Sequence, residues 1–484
     1  MGKSIKGNIV YTIANTFLGL IFPLITFPYI SRVLQPEGVG LYNFYNAILG
    51  YVAMFANIGI ALYATRLIAR HRDDLYERSK ITIEVFLLHC LTTLIASSAI
   101  FVLAWTVPRI YEHQMLFFVM GTSIVLGPLS VNWFYQGVEE FKYITIRSLA
   151  IKALSMVLLL TFVKTHNDVI IYAIISVLAN IGNYFFNIAY LRKFISLRGL
   201  RWSKLEVMRH LKPCLTLFVL SVVISVYVHL DAVMLGFFQS DAAVGYYAVP
   251  VRLSHIVLSI ITSIGTALLP RFSYLLESGD IGTFNTLCRK SMLFIISISL
   301  PIMLGLITLA KPLIISAFGL NYTPSILVLQ LLSPIVFFAA ITNVLGIQIL
   351  YPMGKERLVI YSTLGAAIVN FSLNCLLIPI YSYNGAAVAT CIAEAIVLVL
   401  QLCLGRNYLP QRLFPPRLWS LGVAGVIMSL LVWSITLIAM PQWLHLLIGT
   451  AVGITSYFAL LLWFKNELAL SLLFMVTHKL KRIV

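Results

Sequence analysis

Apolar stretches close to twenty residues long recur along the whole chain, separated by short polar breaks. ITIEVFLLHCLTTLIASSAIFVLAW (Ile81–Trp105) and VAGVIMSLLVWSITLIAM (Val423–Met440) are representative. At 1.5 Å per residue, such a run crosses a hydrocarbon core of about 30 Å. The pattern predicts helices over roughly 8–34, 39–66, 81–107, 114–136, 144–163 and 168–190. A second set follows at roughly 212–238, 243–269, 290–309, 325–351, 358–378 and 384–404, with two more near 418–440 and 443–464. A barrel would instead alternate over strands of roughly ten residues, and that pattern is not found. The predicted fold class is an all-α polytopic membrane protein with about fourteen helices.

Composition agrees. Of 484 residues 60% are hydrophobic and only 11% charged, whereas a soluble domain carries roughly 25% charged residues. Lys3 and Lys6 precede the first apolar run, but no small-x-small cleavage site follows it, so it reads as a membrane helix rather than a leader. The Met-Gly start is not a myristoylation signal, because Lys6 stands where Ser or Thr is needed.

The net charge of +17 invites a nucleic-acid reading, which its distribution excludes. Of the 34 Lys and Arg, 28 fall in alternate loops and at the two ends, including Arg70–Lys80, Lys142 with Arg147, Arg192–Lys212 and the tail from Lys465 to Arg482. The other loops hold only Arg32, Arg109, Lys164 and Lys311. This is the positive-inside asymmetry, and it predicts that both termini are cytoplasmic. The stretch RWSKLEVMRHLK (Arg201–Lys212) presents Trp202, Leu205, Val207 and Met208 among basic residues, which suggests an interfacial helix. Cys90, Cys214, Cys288, Cys375, Cys391 and Cys403 are scattered without a Cys-x-x-Cys pair and read as small apolar residues.

One stretch occurs twice. FPYISRVLQPEGVGLYNFYNA (Phe27–Ala47) and HLDAVMLGFFQSDAAVGYYAVPVR (His229–Arg252) each run from an apolar helix through a Gln-containing acidic turn to Val-Gly and a second apolar run. A second echo follows in the same order, YQGVEEFK (Tyr135–Lys142) and YPMGKERL (Tyr351–Leu358). A repeat of six helices preserves orientation, so the two halves are expected to be related by an axis along the membrane normal. The expected domains are a six-helix lobe at 1–195, a cytoplasmic linker at 196–211, a second six-helix lobe at 212–408, and two further helices with a tail at 409–484.

With FPYISRVLQPEGVGLYNF, NWFYQGVEEFKYI (Asn132–Ile144) and LDAVMLGFFQSDAAVGYYAVPVRL, the chain resembles the polysaccharide-transporter (Wzx-type flippase) branch of the multidrug/oligosaccharidyl-lipid/polysaccharide exporter superfamily. The resemblance covers essentially the whole chain. It implies two parallel lobes around a central cavity, in the bacterial cytoplasmic (inner) membrane. It also implies alternating-access transfer of undecaprenyl-diphosphate-linked oligosaccharide, an O-antigen, capsule or exopolysaccharide repeat unit, from the inner to the outer leaflet. Membrane lipids, a polysaccharide polymerase and a chain-length regulator are the partners it implies. Sister exporters of lipid II, teichoic acid precursors or multidrug cations share the fold and stay open as alternatives, as does an integral-membrane polymerase or acyltransferase.

No catalytic constellation emerges from the residues. There is no Gly-x4-Gly-Lys-Ser/Thr loop, no histidine pair at metal-ligand spacing, and no extramembrane segment long enough for a catalytic domain. The expectation is therefore a transporter without cofactor or metal, not an enzyme. Ionisable groups deep in a membrane helix cost roughly 2.5–3.5 kcal/mol on insertion scales and tend to face a bundle interior or a wet cavity. Arg252 and His255, three residues apart and so on one helix face, are the leading candidates for a cationic, diphosphate-binding site. Lys152, Arg32 and Arg66 complete the cationic set; Lys152 is equally consistent with snorkelling, and Arg32 and Arg66 with interfacial anchoring. Glu394 and Asp231 are candidates for ion coupling, against a bond from Glu394 to a neighbouring hydroxyl or amide and a pairing of Asp231 with Arg252. His89 and His229 read as hydrogen-bonded packing residues.

Overall fold

The computed structural model describes residues 5–198, 200–411, 413–414, 418–466 and 469–470. Lys3, Arg412, Arg417 and the tail bases beyond Lys465 lie outside the described residues. The chain is all-α, with no strand among the described residues. Among the described residues, ten helices are long and apolar enough to cross a membrane, and Gln114–Val125 with Gly127–Gly137 passes the same test as a pair bent by 49°.

In order, the first helices are α1 (Ile5–Asn57), α2 (Ile60–Arg70), α3 (Leu75–Thr106), α4 (Pro108–Tyr111), α5 (Gln114–Val125) and α6 (Asn132–Gly137). Next come α7 (Phe141–Phe162), α8 (Val169–Leu191), α9 (Leu211–Phe238), α10 (Asp241–Glu277) and α11 (Ile281–Thr308). The last are α12 (Ala310–Phe318), α13 (Ser325–Asn343), α14 (Glu356–Gly405), α15 (Leu418–Thr436) and α16 (Gln442–Trp463). At 53 and 50 residues, α1 and α14 are too long for one crossing each. Each is divided by a single residue with positive φ: Gln35 (φ 61°) and Ser382 (φ 50°). Gln35 precedes Pro36, whose ring disfavours helical backbone in the residue before it. Both breaks fall where the polar pattern places a turn.

Elsewhere the structure departs from the pattern. The span expected over 39–66 is interrupted at Ile58–Gly59, where Gly59 has φ 78° and lies so close to α9 that a Cβ would stand 2.6 Å from the Cys214 carbonyl oxygen. The span expected over 114–136 bends at Gly127–Pro128 and again at Val131, which has φ 34°. The expected interfacial helix is instead two 3₁₀ turns, Trp202–Lys204 and Val207–His210. Its backbone is diverted, because the Glu206 N–H donates to the Glu84 carboxylate (2.8 Å) rather than to a helical carbonyl.

Two compact units result, Met1–Gly245 and Tyr246–Val484. Helix α9, the first of the expected second lobe, packs on α1 within the first unit. That unit has a core where Ile60, Ile68, Val85, Phe134, Tyr135 and Cys214 meet. The core of the second gathers Phe272, Phe284, Met292, Val336, Met428 and Tyr457.

The repeated turns recur as structure. Tyr135–Glu140 and Leu350–Lys355 both end a helix through the same pair of reversed bonds. The Glu140 and Lys355 N–H groups donate to the carbonyls of Tyr135 (2.8 Å) and Leu350 (2.9 Å), and Glu139 and Gly354 carry the positive φ between. This is the six-to-one helix stop that satisfies orphan carbonyls.

Candidate functional site

Inside the first unit, α1 and α8 turn polar side chains towards each other. Tyr42, Asn46 and Gly50 recur at four-residue spacing on α1, and Ser176 and Asn180 do so on α8, so each set lies on one helix face. With Ser123 and the His229 ring they line a cavity of about 280 Å³. The Ser123 and Ser176 hydroxyls donate to the carbonyls of Met120 and Tyr172, both at 2.9 Å, which leaves their oxygen lone pairs as acceptors. Tyr42 packs on the Tyr172 ring at 4.5 Å. His229 rests on Gly50, where an added Cβ would stand 2.7 Å from Nε2, and meets the Tyr51 ring edge-on. The cavity is neutral, and its amides and hydroxyls suit a polyhydroxylated ligand rather than a charged one.

The sequence-predicted residues divide between the units. Arg32 and Arg66 are exposed, and Asp231 is buried on α9. Lys152 is half-buried on α7, with its Nζ close to Gly19 of α1. These four belong to the first unit. Arg252 and His255 are both exposed, one turn apart on α10 of the second unit. Glu394 is half-buried in the second unit, one turn beyond Thr390 on α14. The structure therefore brings Arg252 and His255 together on one face and places Asp231 in the other unit.

Around Thr390 lies a neutral network absent from the sequence reading. The Thr390 hydroxyl donates to the Ala386 carbonyl (2.9 Å), and its oxygen is shared with the Tyr247 hydroxyl (3.1 Å) and the Asn370 amide (3.3 Å). Asn374, wholly buried like Asn370, donates to the Asn370 side chain at 3.1 Å. Single Asn and Thr residues within apolar runs were the available signal. Without a second helix to place them, they look like ordinary helix-face residues.

The hinge turns meet within the first unit. A Cβ on Gly40 would fall 1.7 Å from the Asp241 carbonyl oxygen, and one on Gly245 would fall 2.0 Å from the Pro36 carbonyl oxygen. Counting back from each glycine, Pro36 and Asp241 are themselves equivalent, so the contact is reciprocal. Arg109 fastens it: its guanidinium donates to the Asp241 carboxylate (2.7 Å) and the Gln239 carbonyl (3.1 Å) and lies over the Phe44 ring.

At the linker end of this unit, Glu84 is wholly buried. Arg209 donates to it at 2.6 Å, and His210 Nε2 lies 2.9 Å from the same oxygen. Tyr63 lies 2.8 Å from His210 Nδ1. A neutral His210 satisfies both partners, with Nε2–H donating to the carboxylate and Nδ1 accepting from the tyrosine. Burial holds the His210 pKa below the ordinary histidine value, although Glu84 pulls the other way.

The comparisons agree with this architecture. A family model described as "Polysaccharide biosynthesis protein" matches residues 5–276, and one described as "Lipid II flippase MurJ" matches residues 146–464. The chain is 26% identical over 408 residues to a "Putative O-antigen transporter" of Escherichia coli (strain K12), covering 84% of this chain and 97% of the relative. A protein of the same name from Shigella dysenteriae is 24% identical, covering 82% and 99%. Among solved structures, the lipid II flippase MurJ in its inward closed conformation superposes with a TM-score of 0.76 at 17% identity, covering 95% of this chain and 99% of that one. The chain belongs to the polysaccharide biosynthesis protein family, in the polysaccharide-transporter branch of the multidrug/oligosaccharidyl-lipid/polysaccharide exporter superfamily.

Proposed function

We propose that this protein is a flippase that moves undecaprenyl-diphosphate-linked oligosaccharide from the inner to the outer leaflet of the bacterial cytoplasmic membrane by alternating access, making and breaking no covalent bond. The observation that carries this reading is Arg252 with His255, exposed side by side on an otherwise apolar span. A cation placed so is expensive in a membrane and suits a diphosphate, to which a guanidinium offers a planar fork of donors. The neutral cavity of the first unit supplies the other half of the chemistry, hydroxyls and amides matched to sugar hydroxyls. The reading is further supported by the family, whose relatives are named as O-antigen transporters. We take the moving parts to be the six-helix repeats 1–195 and 212–408, with both termini cytoplasmic. Lys152, Arg32 and Arg66 are secondary contacts for the carrier in this proposal, and Glu394 and Asp231 are the candidate ion-coupling groups.

Proteoliposomes carrying a fluorescent lipid-linked oligosaccharide test the proposal. Purified protein is expected to expose the glycan to an impermeant glycosidase, whereas protein-free vesicles keep half of it protected. Protection that persists for every undecaprenyl-diphosphate glycan tried would overturn the reading.

A further inference from the structure

A cavity of about 500 Å³ opens between α7 and α8, away from the neutral cavity described above. One end is polar, with Glu140, Lys142, Arg147 and the rings of Tyr143 and Tyr190; the other is apolar, with Ile146, Ala150, Ile151 and Phe186. Arg147 governs the polar end. Charge counting had placed it in a loop, but it sits in the second turn of α7 and is only 9% exposed. Its Nε donates to the Asn183 side chain and its Nη2 to Asn132, both at 3.0 Å, and the guanidinium lies 5.2 Å from the centre of the Tyr143 ring.

Its Nη1 has no hydrogen-bond partner, and no carboxylate pairs with it among the described residues. A buried guanidinium edge without an acceptor is costly, and an anion entering the cavity beside it would supply one. The rest of the cavity says which kind. Tyr143 and Tyr190 are stacked at 4.1 Å, with the Tyr143 hydroxyl donating to the Phe186 carbonyl (2.8 Å) and Lys193 over the Tyr190 ring, so the wall is braced and its polar end carries Lys142 and Arg147 against the single carboxylate of Glu140. Ile146 and Phe186 are large, apolar and more than half exposed, as lipid-facing side chains of a membrane helix are. Arg147 lies about 9 Å along the helix from the start of α7, the depth of the boundary between headgroups and chains.

We propose that this cavity is a binding site for the phosphate headgroup of a membrane lipid, with Arg147 supplying the buried contact, Lys142 the rim charge, and Ile146 and Phe186 the seat for the first methylenes. Both an anionic phospholipid and a polyprenyl diphosphate carry this chemistry. The site does not depend on the flippase reading, since it concerns occupancy and not transfer.

Native mass spectrometry of the full chain, released from detergent with added lipid, tests it. Phosphatidylglycerol, undecaprenyl diphosphate and diacylglycerol serve as probes, on the wild type, Arg147→Gln and Ala150→Trp. The tryptophan narrows the cavity from an exposed position and leaves Arg147, Asn132 and Asn183 themselves unchanged, so it decides the matter if Arg147→Gln fails to fold. At least one phosphate lipid is expected to bind the wild type, with affinity falling about tenfold or more in Ala150→Trp and no rise in melting temperature on adding that lipid to the variant. Binding of undecaprenyl diphosphate alone would identify the occupant as a carrier, and equal binding of phosphatidylglycerol as a bilayer lipid. Diacylglycerol binding as tightly as either, or unchanged affinity in a folded Ala150→Trp protein, would overturn the site.

Discussion

The helix that follows the first hinge and the helix that follows the second are built to one template and used in opposite ways. Aligned on Gly40 and Gly245, Tyr42 matches Tyr247, and both pack on the last helix of their set of six, at Tyr172 and Thr390. Seven and ten residues beyond the glycines the polarity reverses. Ala47 and Gly50 occupy these positions in the first unit, Ala47 buried and Gly50 beneath the His229 ring of α9. In the second unit the same positions are Arg252 and His255, both exposed. A repeat thus fixes a backbone and leaves side-chain chemistry to whatever covers each copy. Where a neighbouring helix seats itself, only small residues fit; where none does, a cation is tolerated.

The sharpest way to break this comparison is to move the charge. Ala47→Arg places a long cation into a buried helix contact, where overpacking and burial of charge together cost on the order of 4 kcal/mol or more. No folded protein is expected by size-exclusion chromatography after extraction, whereas Arg252→Ala should elute and melt like the wild type. Nearly equal yields of the two would end the argument that packing dictates the difference.

Next in size is the glycine contact that sets the register. Gly40→Ala and Gly245→Ala each force a methyl group into carbonyl oxygens of the facing turn, at a cost of about 2–3 kcal/mol. Melting temperatures should fall by similar amounts in both, because the contact is reciprocal. A large fall in one variant alone would show that the two turns are not equivalent.

Arg252→Ala is expected to lower translocation about tenfold or more in the glycosidase assay, with Arg252→Lys intermediate because charge survives while the fork is lost. Asn46→Leu, in the neutral helix, should slow transfer of a glycan-bearing carrier while leaving a carrier without sugar unaffected. Identical substrate profiles for the two variants would merge the roles assigned here to separate units.

The smallest effect belongs to the linker, which occurs once and stands outside the repeat. His210 is held neutral in the native state, with a folded pKa below its unfolded value near 6.5. The unfolded linker therefore takes up a proton first, and the stability that His210 contributes, present above about pH 6.5, is lost as pH falls through that value towards the folded pKa. Amide protection over 202–210, taken relative to the intrinsic exchange rate at each pH, should fall modestly between pH 7.5 and 5.5, and this change should vanish in His210→Asn.

Hydropathy was enough to place the apolar spans, because a bilayer leaves a backbone no other way to satisfy its hydrogen bonds, but not the interruptions at Ile58–Gly59 and Gly127–Val131. The breaks at Gln35 and Ser382 and the doubled turns were legible too, since proline, glycine and polar pairs act locally. So was the face shared by Arg252 and His255, which needs only helical periodicity. Tertiary structure decided the rest. Asp231 lies in the first unit because α9 packs on α1, and no local pattern says which neighbour a largely apolar helix will choose. Arg147 became a buried, half-satisfied cation, and Glu84 a buried anchor for the linker, only when other helices enclosed them. Burial and pairing are properties of neighbours distant in sequence, and these set what a charge in a membrane helix can do.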